Sequence, residues 1–246
     1  MRNLRLDLCY DGSRYRGWQR LPGRDDTIQG KVELTLSRIL GEEIEITGSG
    51  RTDAGAHAEG QVANFHADTT MTCGEICEYL RHYLPEDIGV LSVKEAGPRF
   101  HSRLNAVSKT YRYRIWNSEM PCVFDRRYVW IMPQKLNLEH MEQAAAHLVG
   151  THDFLAFCSN KHFKKSSVRT ITELHIQKFG EEVRITVTGN GFLYNMVRII
   201  VGTLVEVGRG ERSADSIPSV LEGRVREQAG ETVPAKGLCL MEVQYS

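Results

Sequence analysis

The chain has 246 residues, with 31 lysines and arginines against 31 aspartates and glutamates, 41% apolar and 25% charged. That is the balance of a soluble protein with room for one large domain or two small ones, and it excludes binding to nucleic acid by bulk charge alone. No apolar run reaches the length of a membrane span, and Met-Arg-Asn-Leu-Arg-Leu-Asp at the start lacks the apolar core of a secretion signal.

Six cysteines stand at 9, 73, 77, 122, 158 and 239, with no Cys-x-x-Cys among them. The pattern points to a reduced, cytoplasmic protein with no structural zinc. Cys9 and Cys239 fall within strand patterns and are expected to be buried thiols.

In chain order, Leu4, Leu6, Leu8 and Tyr10 alternate with Arg5, Asp7 and Cys9, which predicts a strand with one core face. Asp11-Gly12-Ser13 turns the chain into Arg14-Tyr15-Arg16-Gly17-Trp18-Gln19-Arg20. This mix of cations and aromatics can grip a backbone and stack on a base, or can simply anchor a loop through Trp18. Thr27 has N-cap chemistry for a helix running to Gly41. A short strand at 44–46, a loop at 48–58 and a strand at 61–66 follow. A second helix over 72–83 stops before Pro85, and a strand covers 88–93. The order is strand, helix, strand, strand, helix, strand, the ferredoxin-like or RRM-like plan.

Residues 97–103 lack periodicity and read as a connector, so the halves divide at 1–103 and 104–246. The second half opens with a strand at 109–115 that puts Tyr111, Tyr113 and Ile115 on one face and Arg112 and Arg114 on the other. A helix over 136–148 leads through 150–154 into a loop, and 160–167 is basic and poor in apolar residues, the segment expected to move. A hairpin over 169–188 turns at Phe179-Gly180-Glu181. A long helix begins near Phe192, a short one covers 214–221, and a strand at 238–243 closes the sheet. The fold class is α+β: two ferredoxin-like halves with mainly antiparallel sheets, joined around a central cleft.

Two stretches carry chemistry. Residues 48–58, Gly-Ser-Gly-Arg-Thr-Asp-Ala-Gly-Ala-His-Ala, hold three glycines, one arginine and one aspartate, and no bulky aliphatic side chain. Such a run cannot build a core. It lets the backbone approach a ligand, with Asp53 as the candidate reactive group and Arg51 as its helper. The bland alternative is a turn in which Asp53 caps its own backbone. The glycine spacing meets neither the dinucleotide nor the Walker pattern. The second stretch follows Gly189-Asn-Gly-Phe-Leu-Tyr, a near miss for the dinucleotide pattern that Tyr194 spoils in place of the third glycine. Between Phe192 and Val205 the only charge is Arg198. A charge on an all-round apolar helix needs a partner, and Asp53 is the best candidate, unless Arg198 snorkels to solvent.

Basic residues cluster at Arg14, Arg16, Arg20 and Arg24, at Arg99, Arg103, Lys109, Arg112 and Arg114, and at Lys161, Lys164, Lys165 and Arg169. They form either a face that neutralises phosphates or scattered solvated charges.

Arg51-Thr52-Asp53-Ala54-Gly55-Ala56-His57-Ala58 resembles the signature of the TruA family of tRNA pseudouridine synthases, with Ala56 where valine is usual. Tyr10-Asp11-Gly12 with Gly17-Trp18-Gln19, Lys109 to Tyr113, Gly189 to Arg198 and Pro234-Ala-Lys-Gly-Leu238 resemble further motifs of the same family, in order along nearly the whole chain. Asn195-Met196-Val197-Arg198 lacks one residue of the family's Asn-x-Met-Val-Arg spacing. The resemblance implies that Asp53 is the essential carboxylate, that Arg198 pairs with it, and that Tyr111 lies against the target uridine. It also implies a homodimer acting on uridine of the tRNA anticodon stem-loop, on its 3′ side at positions 38 to 40. The isomerisation breaks a glycosidic bond and rejoins the same base through carbon, so no cofactor and no metal are expected. His57 reads as structural support. Two other readings stay open: an RRM-like RNA-binding protein without catalysis, and a glycoside hydrolase, which would need a second carboxylate such as Asp11.

Overall fold

A computed structural model describes residues 1–160 and 164–246. The described residues form a mixed α/β protein of mostly antiparallel strands and five α-helices, in two compact units: Met1–Val107 with Cys239–Ser246, and Ser108–Leu238. None of these helices is long and apolar enough to cross a membrane.

The first unit contains β1 (Arg2–Tyr10), α1 (Ile28–Leu40), β2 (Thr47–Gly48), β3 (His57–Ala67), α2 (Cys73–Tyr83) and β4 (Ile88–Glu95). Strand β1 lies between β3 and β4 and is antiparallel to both. Its alternation is realised: Leu4, Leu6 and Leu8 are fully buried and Tyr10 nearly so. Ile28, Val32 and Leu36 of α1 and Ile76 and Leu80 of α2 complete this core. Each such side chain contributes about 1.5–3 kcal/mol by leaving water. The helix starts follow their capping chemistry. The Thr27 hydroxyl accepts the Gly30 N–H at 3.2 Å. Thr72 and Glu75 cap each other reciprocally. Such caps contribute about 1 kcal/mol each.

The second unit holds β5 (Ala106–Trp116) from Ser108 onward, β6 (Trp130–Ile131), α3 (Leu138–Ala146), β7 (Gly150–Asp153), β8 (Val168–Phe179), β9 (Glu182–Gly189), α4 (Met196–Gly208) and α5 (Ile217–Gly223). The strands run β5-β9-β8-β7, antiparallel throughout, with β6 parallel to the end of β5. Helix α4 is buried except at Arg198 and Glu206, as expected of an apolar helix. The last strand, β10 (Leu238–Tyr245), lies parallel to β3 through Cys239 opposite His57 and Leu240 opposite Ala58.

Several sequence expectations are corrected. Residues 44–46 are not a strand. The N–H of Ile44 donates to Ser37 Oγ at 2.9 Å and that of Ile46 to Glu33 Oε1 at 2.9 Å, so side chains of α1 take the donors a ladder would use. Residues 150–153, expected as the way into a loop, form the edge strand β7 against β8. Helix α4 begins at Met196 rather than near Phe192, because Asn195 adopts a left-handed conformation (φ 62°) that breaks the helical path. Cys9 and Cys239 are half-buried, not buried. The closing strand, expected with the second half, belongs from Cys239 onward to the first unit. Of the basic segment 160–167, residues 161–163 lie outside the described residues.

Candidate active site

In the first unit, residues 10–19 and 48–58 fit into each other at backbone distance. Trp18 donates its backbone N–H to the Thr52 carbonyl at 3.1 Å, and Gly55 donates its own to the Tyr15 carbonyl at 3.3 Å. Gly17 has φ +90°, and a Cβ there would lie 2.6 Å from the Thr52 carbonyl oxygen, so glycine is required both for conformation and for approach. The carbonyls of Gly17 and Trp18 in turn accept the N–H groups of Ile28 and Gln29 at the start of α1. That satisfies donors a helix N-terminus leaves open. The loop is thus tied to a helix, although it is built from turn residues.

Underneath lies a buried polar cluster. Gln61 on β3 uses its whole amide. Its Nε2 donates to the Gly50 carbonyl at 3.0 Å and to the Tyr10 hydroxyl at 3.4 Å. Its Oε1 accepts from Ser49 Oγ at 2.7 Å and from the Val62 N–H at 3.1 Å. The Tyr10 hydroxyl also lies 2.7 Å from Thr52 Oγ1. Burial pushes the Tyr10 phenol above its ordinary pKa, and its bonds to Thr52 and Gln61 oppose this only in part.

Asp53 is half-buried on this platform, and its carbonyl accepts the Ala56 N–H at 3.1 Å. Arg51, two residues earlier on the same loop, is exposed. Buried His57 opens β3, with the Gly12 N–H 3.1 Å from its Nδ1 and Asp11 Oδ1 also at 3.1 Å. One nitrogen cannot accept from the first and donate to the second, and the well-placed amide N–H identifies Nδ1 as the acceptor. His57 thereby supports the Gly12 turn. Asp11 caps the same turn, accepting from the Ser13 N–H at 2.9 Å and from Ser13 Oγ at 2.6 Å.

In the second unit, Tyr111 of β5 is buried and meets Phe192 edge-on, with ring centroids 5.1 Å apart. Tyr113, two residues on along the same face, donates to the Pro234 carbonyl at 2.7 Å. Burial raises its phenol far above the ordinary range, with the charge of Arg198 opposing. Arg198 stands in the first turn of α4. Its Nε donates to the Val233 carbonyl at 2.7 Å and its Nη1 to Asn195 Oδ1 at 3.0 Å. The segment 233–234 therefore seats both Arg198 and Tyr113, which gives the Pro234 motif a structural reason.

The early basic cluster is consumed locally. Arg14 pairs with Asp87 at 2.6 Å, Arg16 with Asp26 at 3.3 Å, Arg20 with Glu33 at 3.2 Å and Glu45 at 2.9 Å, and Arg24 with Asp26 at 2.7 Å. These arginines brace the 10–26 segment. Sequence reasoning missed Tyr10, Ser49, Thr52 and Gln61 as a group. Gln61 stands among other polar residues of its strand, His57, Glu59, Asn64 and His66, so no local signal marked it.

A family model described as tRNA pseudouridine synthase matches residues 9–105 and 144–246. The chain is 48% identical over 245 residues to tRNA pseudouridine synthase A 2 of Bacillus cereus (strain ZK / E33L), covering 100% of both chains. It is 48% identical to tRNA pseudouridine synthase A of Bacillus sp. (strain KSM-64) and 44% identical to that of Acetivibrio thermocellus, each over 100% of both chains. The chain belongs to the tRNA pseudouridine synthase family, isomerases that convert uridine to pseudouridine in tRNA.

Proposed function

We propose that this synthase acts on uridine on the 3′ side of the tRNA anticodon stem-loop, with Asp53 as its essential carboxylate. The observation that carries this is local. Asp53 is the only carboxylate of the 48–58 loop, and that loop is fixed by backbone bonds to 15–18 and by the side chains of Tyr10 and Gln61. A rigid small-residue loop offering one carboxylate suits a reaction that needs one ionised group near sugar and base. In this reading Arg51 and Arg198 are substrate-binding residues that meet the phosphates of the tRNA. Tyr111 stacks on the flipped-out uridine. Exclusion of water protects the detached sugar while the base turns. Asp11, the second carboxylate that a hydrolase would need, is engaged in capping the 12–14 turn, which favours the isomerase.

The reading includes two ferredoxin-like halves, dividing near residue 103, in a cytoplasmic homodimer. The order β4-β1-β3 with β2 on β3, and β5-β9-β8 in the second unit, supports the halves. The test is tritium release from tRNA labelled at uridine C5, comparing wild type with Asp53→Asn. Release by wild type and none by the variant, with tRNA still bound, is the expected outcome. Wild-type release rates in Asp53→Asn would sink the assignment. Transfer RNAs with their uridine at 38, 39 or 40 replaced singly by cytidine test the stem-loop part.

A further inference from the structure

We propose that Tyr10 is a positioning residue for Asp53, acting through the hydroxyl of Thr52; this rests on the reading of Asp53 as the essential carboxylate. Both N–H groups of the Gln61 amide are donated, one to the Gly50 carbonyl and one to the Tyr10 oxygen. Having accepted there, the Tyr10 hydroxyl shares a second hydrogen bond with Thr52 Oγ1, 2.7 Å away, in which either hydroxyl can donate. Thr52 is held on its other side by the Trp18 N–H at its carbonyl. The residue immediately before Asp53 is therefore fixed by side chain and main chain at once.

The setting makes this bond matter. Tyr10 is 5% exposed, Thr52 7%, and Ser49 and Gln61 0%. A partner lost in so buried a place leaves hydroxyls that move to find another. The Tyr10 ring packs against Trp18 with centroids 6.1 Å apart, so its hydroxyl can be removed while its packing stays. A catalytic carboxylate displaced by even a fraction of an ångström loses rate before it loses substrate.

The experiment measures kcat and KM for tRNA at a temperature where circular dichroism shows each variant folded. The variants are Tyr10→Phe, Thr52→Val, their double combination, Thr52→Ser, and Asp53→Asn. Tyr10→Phe and Thr52→Val are each expected to lower kcat by about tenfold or more with KM within about twofold, as displacement of a reacting group should. The double variant is expected to be no slower than the slower single one, because both remove the same bond. Thr52→Ser, which keeps the hydroxyl, is expected to restore most of the rate. A folded Tyr10→Phe with wild-type kcat, or additive losses in the double variant, overturns the proposal while an inactive Asp53→Asn leaves the catalytic assignment standing. If Tyr10→Phe fails to fold, Thr52→Val decides alone by the same criterion. Wild-type turnover in Asp53→Asn removes the reading beneath the proposal, and the proposal with it.

Discussion

A Cβ on Gly12 would lie 1.8 Å from the carbonyl oxygen of Ala56, so the turn after β1 and the loop bearing Asp53 touch backbone to backbone. Nothing flexible separates them, and no rotamer change could make room. Gly12→Ala is expected to destabilise the protein by about 2–4 kcal/mol, in the range of overpacked backbone sites, and to remove most activity through the displaced loop. Thermal melting together with tritium release checks this. A variant that melts and turns over like wild type would mean the two segments separate at little cost.

Arg198 is gripped by directed bonds, Nε to the Val233 carbonyl and Nη1 to Asn195 Oδ1. Lysine would keep the charge but not that geometry. Arg198→Lys is therefore expected to lose about tenfold or more in kcat, as a cation held off its position should. The rate measurement is paired with a melt, because an uncompensated Val233 carbonyl also costs stability. Equal kcat for lysine and arginine would show that charge alone suffices.

Tyr111 is buried against Phe192, so its truncation has two effects that separate by choice of variant. Tyr111→Phe keeps the ring and is expected to bind tRNA and fold normally, any kcat loss reporting on the hydroxyl. Tyr111→Ala is expected to cost about 3–5 kcal/mol of stability as a large buried ring lost, besides the lost stacking. Chemical denaturation and tRNA-binding titrations on both variants read these apart. A stable Tyr111→Ala would mean that the packing seen here is easily replaced.

Acid should act on Glu182. Burial alone would raise its carboxyl, but hydrogen bonds from Arg114 at 2.8 Å and Arg184 at 2.6 Å outweigh it, and the net shift is downward. A depressed native pKa means the contribution to stability is full above the ordinary glutamate value of 4.5. It is lost as pH falls through the lower native value. Glu182→Gln is expected to cost about 1–3 kcal/mol at neutral pH, discounted because both guanidinium groups are partly exposed. Denaturation of wild type and variant across pH 7 to about 2.5 should show that gap closing in acid, since only the wild-type group titrates. A gap constant with pH would mean the carboxyl titrates as in the unfolded chain.

The elements were legible where one local rule decides them. Thr27 and Thr72 cap their helices, the alternation of Leu4, Leu6 and Leu8 becomes a buried strand face, and Arg198 interrupts an otherwise buried helix turn. Residues 44–46 misled because their apolar alternation is genuine, with Ile44 and Ile46 buried and Glu45 exposed. Glu33 and Ser37, from another element, take their backbone donors. No local pattern could show that. The same holds for the candidate site. Asp53 and Arg51 declare themselves by sitting in a loop of small residues. Tyr10 and Gln61 sit in strands, where a polar side chain looks like any solvent-facing one until the fold shows it buried.

Strand β10 has a consequence for how the protein is made. Its residues from Cys239 complete the sheet of the first unit by pairing with His57 and Ala58, where the Asp53 loop joins β3. The 131 residues of the second unit, Ser108–Leu238, must leave the ribosome before that pairing can form. A nascent chain halted after residue 58 and before residue 239 carries the whole 48–58 loop without its flanking strand. Synthesis itself thus delays completion of the carboxylate's surroundings until the second unit has been made.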